Sequence, residues 1–210
     1  MSLLEESDQK TRGAIILCGG GSRRMGRDKA SLPFGDETLL GRTLRLVAEV
    51  VPREQIVLVA AADQQLPALP WGASVVRDRA ADRGPLPALI DGLAALHAQV
   101  TAAFVTACDF PLLEPALIEM LFQSLTADID VVVPADGERL HPLLAVYRPH
   151  VMELLQSQLA AGTSSLHGAM GSSELTLLRL PIKELRSVDA ELRSFRNCNT
   201  DEEYQAALKA

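Results

Sequence analysis

The amino-acid sequence predicts an α/β fold: a doubly wound, mostly parallel Rossmann-like sheet flanked by helices, with a small antiparallel hairpin insertion. Three observations carry this. Short apolar runs of strand length alternate with longer segments of helical periodicity, the pattern of crossover units that build parallel sheets. The first apolar run breaks into Gly19, Gly20 and Gly21, where the lack of Cβ lets the backbone approach a ligand closely. Asp78 and Asp109 each follow a later apolar run directly. In open parallel sheets, ligands bind at the carboxyl ends of the strands, so one rule places all three features on one rim.

The elements follow in order. Ala14 to Leu17 reads as a fully buried strand, Leu32 to Asp36 as a loop, and Thr38 to Val51 as a helix with Leu39, Thr43, Leu46, Val47 and Val50 on one face. Ile56 to Ala60 is a second strand and Ser74 to Val76 a short third. Gly84-Pro85 opens a helix in which Leu86, Leu89, Ile90, Leu93 and Leu96 keep helical spacing to about His97. Ala102 to Cys108 is a fourth strand, and Pro115 suits the first turn of the helix after it. Ile129 to Val133 is a fifth strand. The turn Asp136 to Arg139 then leads to Leu143 to Tyr147, which reads as the inserted hairpin. Val151 to Leu159 is helical, Gly162 to Gly171 has no clear periodicity, and Leu175 to Ile182 is a late strand. Thr200-Asp201-Glu202-Glu203 is a capping box that opens the last helix. Met1 to Arg12 is polar and expected to be a disordered tail, which leaves residues 13–210 as one domain.

Composition narrows the function classes. At 210 residues with 48% hydrophobic content, the chain can bury a sizeable core as a single domain. A net charge of −7 disfavours nonspecific binding to nucleic acid or an anionic membrane surface. No apolar run approaches the roughly 18 residues of a membrane helix, and the polar start lacks the apolar core of a signal peptide. Three cysteines, in no Cys-x-x-Cys spacing, argue against a disulfide framework and a zinc site. A cytoplasmic location is the expectation. In so acidic a chain, a polyanionic substrate needs positive charge concentrated locally.

The opening loop supplies it. Ser22 and the cations Arg23, Arg24, Arg27 and Lys29 follow the glycines, joining backbone N–H donors to side chains that neutralise phosphate. The spacing excludes two common phosphate loops. A dinucleotide fingerprint fails because Arg24 stands at the third glycine. A P-loop fails because Arg27 and Asp28 stand where Lys and Ser or Thr are required. Leu17-Cys18-Gly19-Gly20, Arg24-Met25-Gly26 and Asp28-Lys29 instead resemble the signature loop of the nucleotidyltransferases. The form Arg-Arg-Met-Gly-x-Asp-Lys is most similar to that of the molybdenum cofactor guanylyltransferases. The resemblance spans about Ala14 to Leu208 and is weaker after Tyr147. Cys18 departs from the family's usual alanine, and Ala60 from a frequent side-chain donor.

The resemblance implies metal-dependent transfer of GMP from GTP to molybdopterin, with release of pyrophosphate. Leu17, Cys18, Gly19 and Gly20 would form the nucleotide loop, and Arg24 and Lys29 would hold the triphosphate and stabilise the leaving group. Asp109, which alone reads equally well as a turn aspartate, matches the family's metal aspartate and would hold Mg²⁺. Asp78 and the following Gly-Pro-Leu match the nucleotide-binding segment. Its carboxylate could accept from the two adjacent donors of guanine; otherwise it is a solvated aspartate among Arg77, Arg79 and Asp82. Arg139 and His141 lie in a match to the family's Asp-Gly-x-x-x-His-Pro element on the acceptor side, where a hairpin-turn histidine is the plainer reading. Asn197 and Asn199 match its Asn-x-Asn-Thr element, or simply cap the last helix. His97 and His150 join no constellation.

The implied partners are GTP, molybdopterin or its molybdenum-bound form, and transient partners in cofactor delivery. Neither nucleic acid nor membrane is expected. Two alternatives stay open: a cytidylyltransferase acting on the same pterin or on a sugar or polyol phosphate, and a noncatalytic nucleotide-binding module. Cys18, beside the cationic loop, is expected to be the most readily alkylated thiol.

Overall fold

The computed structural model describes residues 11–19, 28–78 and 84–210. The predicted fold is present: a central sheet of eight strands, mostly parallel, with helices on both faces. Strands β1 (Arg12–Leu17), β4 (Ile56–Ala61), β5 (Ser74–Asp78) and β6 (Ala102–Ala107) are parallel, β1 lying between β4 and β6. The chain moves outward from β1 through β4 to β5, then crosses back to place β6 on the other side of β1. The strand order therefore reverses between β1 and β6, the position at which a ligand crevice opens in such sheets.

Beyond β6 the sheet continues through β9 (Leu144–Tyr147), β7 (Val131–Asp136) and β10 (Leu177–Pro181), with the two-residue β8 (Arg139–Leu140) also paired to β7. The predicted insertion is antiparallel: β9 runs against both β6 and β7. Its start therefore lies at the rim where the parallel strands end, with Leu144 opposite Thr106. Tyr147, fully buried, donates its hydroxyl to Pro142 O at 2.7 Å and so pins the turn that enters β9.

Alternation along each strand divides the core in two. Ala14, Ile16, Leu58 and Phe104 face one layer, built with helices α1 (Leu39–Val47) and α3 (Pro115–Gln123). Ile15, Leu17, Val59 and Val105 face the other, built with α2 (Pro85–Ala94), α4 (Val151–Ala160) and the short α5 (Leu166–Met170). Helix α6 (Asp201–Ala207) opens on the predicted capping box and packs in a smaller third cluster with Leu32, Phe34 and Cys198.

Several predicted boundaries move. The segment read as a loop holds a small separate hairpin, β2 (Pro33–Phe34) with β3 (Glu37–Thr38). Helix α1 ends at Val47 although Val50 and Val51 remain buried, because the apolar pattern runs on into the turn that follows. The unpatterned stretch before β10 contains α5, capped by Ser165 accepting from Gly168 N. Of the predicted tail, Arg12 belongs to β1, where it is 7% exposed and paired with Glu119 of α3.

Helix α2 approaches the sheet closely at Gly92, where an added Cβ would lie 2.5 Å from Cγ2 of the buried Ile15. Ile15 is β-branched and cannot yield by a rotamer change alone. Gly92→Ala is expected to destabilise the fold by about 1–3 kcal/mol despite alanine's better helix propensity. Gly72→Ala, where a Cβ meets nothing within 4 Å, is the control. Urea midpoints of the two variants check this.

Candidate functional site

Three segments distant in sequence meet at the β1–β6 switch point. Asp28 caps a single 3-10 turn, Lys29–Ser31, by accepting from Ala30 N at 3.1 Å. That turn carries Lys29 inward, where it is 6% exposed. Its ammonium donates to Asp109 Oδ2 at 2.9 Å and to Asn199 Oδ1 at 2.8 Å. Asp109 follows β6, whose end is held to β1 by Cys108 N donating to Leu17 O. Arg42 of α1 donates to Pro111 O at 2.6 Å and fixes the turn after Asp109. Asn199 precedes α6, and its own N–H donates to Glu203 of the capping box at 2.7 Å. Cys198 N donates to Asp109 O at 2.9 Å, joining the last two segments directly. The result is a buried cation, a carboxylate and an amide in one knot. Among the described residues, the second carboxylate oxygen of Asp109 has no hydrogen-bond partner.

Beside this knot lies a mostly apolar cavity of about 310 Å³, lined by Arg139, His141, Asn197, Phe110, Ser165 and His167 among others. Phe110 and Asn197 are chain neighbours of Asp109 and Cys198, so the knot and the cavity share a wall. The His141 ring packs edge-on against Phe195 at 4.8 Å between centroids. His167 Nε2 lies 3.1 Å from Leu140 O, so this nitrogen is the protonated one. A larger cavity, about 610 Å³ between the β2–β3 hairpin and Trp71, contains none of the predicted site residues.

The structure thus brings Lys29, Asp109 and Asn199 into contact and gathers Arg139, His141 and Asn197 around one cavity. Asp78 ends β5, two strands from β1 on the same rim, and is 5% exposed, not solvated. Gly20 and Arg24 lie outside the described residues. Leu17 and Cys18 bury their side chains in opposite core layers. Gly19 is exposed, and a Cβ there would come within 3.1 Å of Ala61 N, so the end of β4 leaves tight room for any side chain at this position.

The expectation that Cys18 is the readily alkylated thiol is corrected. Its side chain is 3% exposed, on the same face as Ile16, and its Sγ lies 3.7 Å from Ile16 O. Cys108 and Cys198 are also buried; the Cys108 pKa is raised by its contact with Cys18 and by burial, and burial pushes that of Cys198 up to about 12. His150, given no partner from sequence, sits 2.8 Å from Asp130 Oδ1 on the surface.

Two residues at the site had no legible signal. His167 falls in the stretch without periodicity, where only the Ser165 cap marks a helix start. Gln64 sits in an irregular loop, yet its amide reaches both Cys18 O and Asp28 Oδ1.

The chain is similar to known proteins over most of its length. Residues 14–174 match the MobA-like NTP transferase domain. A protein of Mycobacterium avium named a probable molybdenum cofactor guanylyltransferase is 36% identical over 208 residues, 97% of this chain and 98% of that one. A likewise named protein of Mycobacterium marinum is 40% identical over 173 residues, 80% of this chain and 84% of that one. Among solved structures, molybdopterin-guanine dinucleotide biosynthesis protein A from Archaeoglobus fulgidus superposes with a TM-score of 0.75 at 25% identity, covering 94% of this chain and 97% of that one.

Burial, reinforced by the nearby Arg139 charge, holds the His141 pKa below the ordinary histidine value. As pH falls through about 6.5, the unfolded chain takes up a proton there that the native chain does not. Stability from this group is therefore complete above about 6.5 and is lost as pH falls toward the lowered native value. The melting temperature of the wild type is expected to fall more between about pH 7.5 and 5.5 than that of His141→Gln, measured by calorimetry.

Proposed function

The chain belongs to the MobA-like NTP transferase family, and on that premise we propose that it transfers GMP from GTP to the terminal phosphate of molybdopterin. A phosphate oxygen of the acceptor attacks the α-phosphorus of GTP, the bond to the β-phosphate oxygen breaks, and pyrophosphate leaves. The observation that carries this reading is the shared wall. A cation–carboxylate knot suited to a triphosphate stands directly against a cavity lined by Arg139, His141 and Asn197. Two mutually repelling phosphates need positioning and charge screening more than a general base. Lys29, released from Asp109, would meet the triphosphate and its leaving group together with Arg24, and the backbone from Leu17 to Gly20 would approach the nucleotide. Asp78, inward-facing at the end of β5, would read guanine.

The donor set at Asp109 fits magnesium. One carboxylate oxygen faces Lys29 and the other has no partner among the described residues, and Mg²⁺ typically takes one or two protein carboxylates, with phosphate oxygens and water completing the shell. Bound there, the ion would screen charge between the triphosphate and the incoming phosphate. Arg139 and His141 would orient the acceptor, with Asn197 and Asn199 fixing the boundary between the two substrates. The buried free thiols are in keeping with the cytoplasm as the site of action.

Asp109→Ala would leave the buried Lys29 with neither counter-charge nor acceptor, whereas the isosteric Asp109→Asn loses the charge but keeps an amide oxygen to accept from it, so Asp109→Asn is the cleaner variant. It is expected to keep the fold, by circular dichroism, and to lower pyrophosphate release from GTP with Mg²⁺ by ~10²–10³-fold. Near wild-type turnover would refute the assignment.

Nucleotide choice follows from Asp78. Wild type is expected to prefer GTP to CTP, and Asp78→Asn to erode that preference, since the amide turns a donor toward a guanine donor. Release of pyrophosphate from each nucleotide, measured side by side, checks this and separates the proposal from a cytidylyltransferase and from a noncatalytic module.

A further inference from the structure

The side chain of Gln64 has no catalytic group and was not singled out by any motif, yet it makes three hydrogen bonds at the rim. Its Oε1 accepts from Ala61 N at 3.2 Å, which folds it back over the end of β4. Its Nε2 donates to Cys18 O at 3.0 Å and to Asp28 Oδ1 at 2.9 Å. Cys18 is the first residue after β1, and Asp28 caps the turn that presents Lys29. One amide therefore spans the end of β1 and the base of the Lys29 turn. A second link holds the amide's own backbone: Arg77 Nη1 donates to Gln64 O at 2.7 Å and to Ala61 O at 3.1 Å. Arg77 precedes Asp78 in β5.

We propose that Gln64 is a positioning residue for the nucleotide, a brace that fixes the Lys29 turn against the β1 strand end. The carrier of Lys29 is a single 3-10 turn whose apolar side is packed into the core through the fully buried Ala30, while its polar start is aligned by Asp28. Lys29 itself is held by the ion pair with Asp109 and the contact with Asn199. On so short a carrier each fixed polar contact removes conformational freedom that nucleotide binding would otherwise have to remove. Only a side chain with both an acceptor and two donors can satisfy a backbone N–H, a carbonyl and a carboxylate at once, and the Gln64 amide meets that description. The proposal rests on the reading of this rim as the nucleotide site.

Gln64→Glu tests it. The variant is isosteric and keeps the acceptor for Ala61 N, but turns an oxygen toward Cys18 O and the Asp28 carboxylate in place of the donor. The KM for GTP is expected to rise by about tenfold or more. KM for the acceptor should stay within about twofold, and the GTP-to-CTP preference should be unchanged, because Gln64 touches neither acceptor nor base. Gln64→Met, of similar length with no hydrogen bonds, serves if the carboxylate prevents folding, and is expected to show the same split. Calorimetric titration of GTP into each protein gives the affinity independently of turnover. A purely structural residue would lower the melting temperature and the active fraction while leaving KM and Kd for GTP at the wild-type values, and that result would overturn the proposal. If wild type itself neither binds GTP nor releases pyrophosphate, the nucleotide-site reading fails instead, and the two failures are told apart by the wild-type control alone.

Discussion

The arrangement depends on one buried ammonium. Lys29 is held out of water between Asp109 and Asn199, and an ion in that position is tolerated only while its partners stay in place. Each partner is consequently anchored by something other than the lysine. Asp109 is carried by the β6 end and by Arg42 on the turn behind it. Asn199 is carried by the capping box of α6 and by the Cys198–Asp109 backbone bond. The knot is therefore a consequence of the surrounding frame as well as a load upon it. Removing any one anchor leaves charge exposed to an environment that solvates it poorly.

Topology explains why the two halves of the site face one another. A wholly parallel sheet would offer strand ends only, and those ends supply the glycine, Asp78 and Asp109. Reversing β9 adds a strand start to the same rim, and with it the His141-Pro142 turn and the β8 segment bearing Arg139. The Tyr147 hydroxyl closes that turn from below, so the wall bearing His141 is fixed by the core and not by surface contacts. A charged cluster and a mostly apolar cavity thus stand side by side on one rim of the sheet.

The strands and their order of appearance were legible because buried parallel strands are written as short unbroken apolar runs, and the rim residues because they directly follow those runs. Helix ends were less legible. Val50 and Val51 continue the apolar pattern beyond α1, since a turn that packs on the core needs apolar residues as much as a helix does. Cys18 was misread although the means to place it were present: it shares a face with Ile16, and that face is core. Gln64 and His167 could not have been found, because a loop residue that acts through backbone groups or sits in a five-residue helix leaves no period to detect. The absent donor at Ala60 is a related case. Ala60 is fully buried, and the polar group at that strand end comes from Gln64, four residues on.

The separation of 170 residues between Lys29 and Asn199 has a consequence for biosynthesis. At ribosomal speeds of about 5–20 residues per second, roughly 10–30 s pass between the emergence of one and the other. During that interval the first strands can pair and Lys29 can meet Asp109, but the amide that completes the knot does not yet exist. A nascent chain therefore reaches most of its final shape while the Lys29 knot is still unfinished, and the knot closes in one late step when the segment before α6 docks.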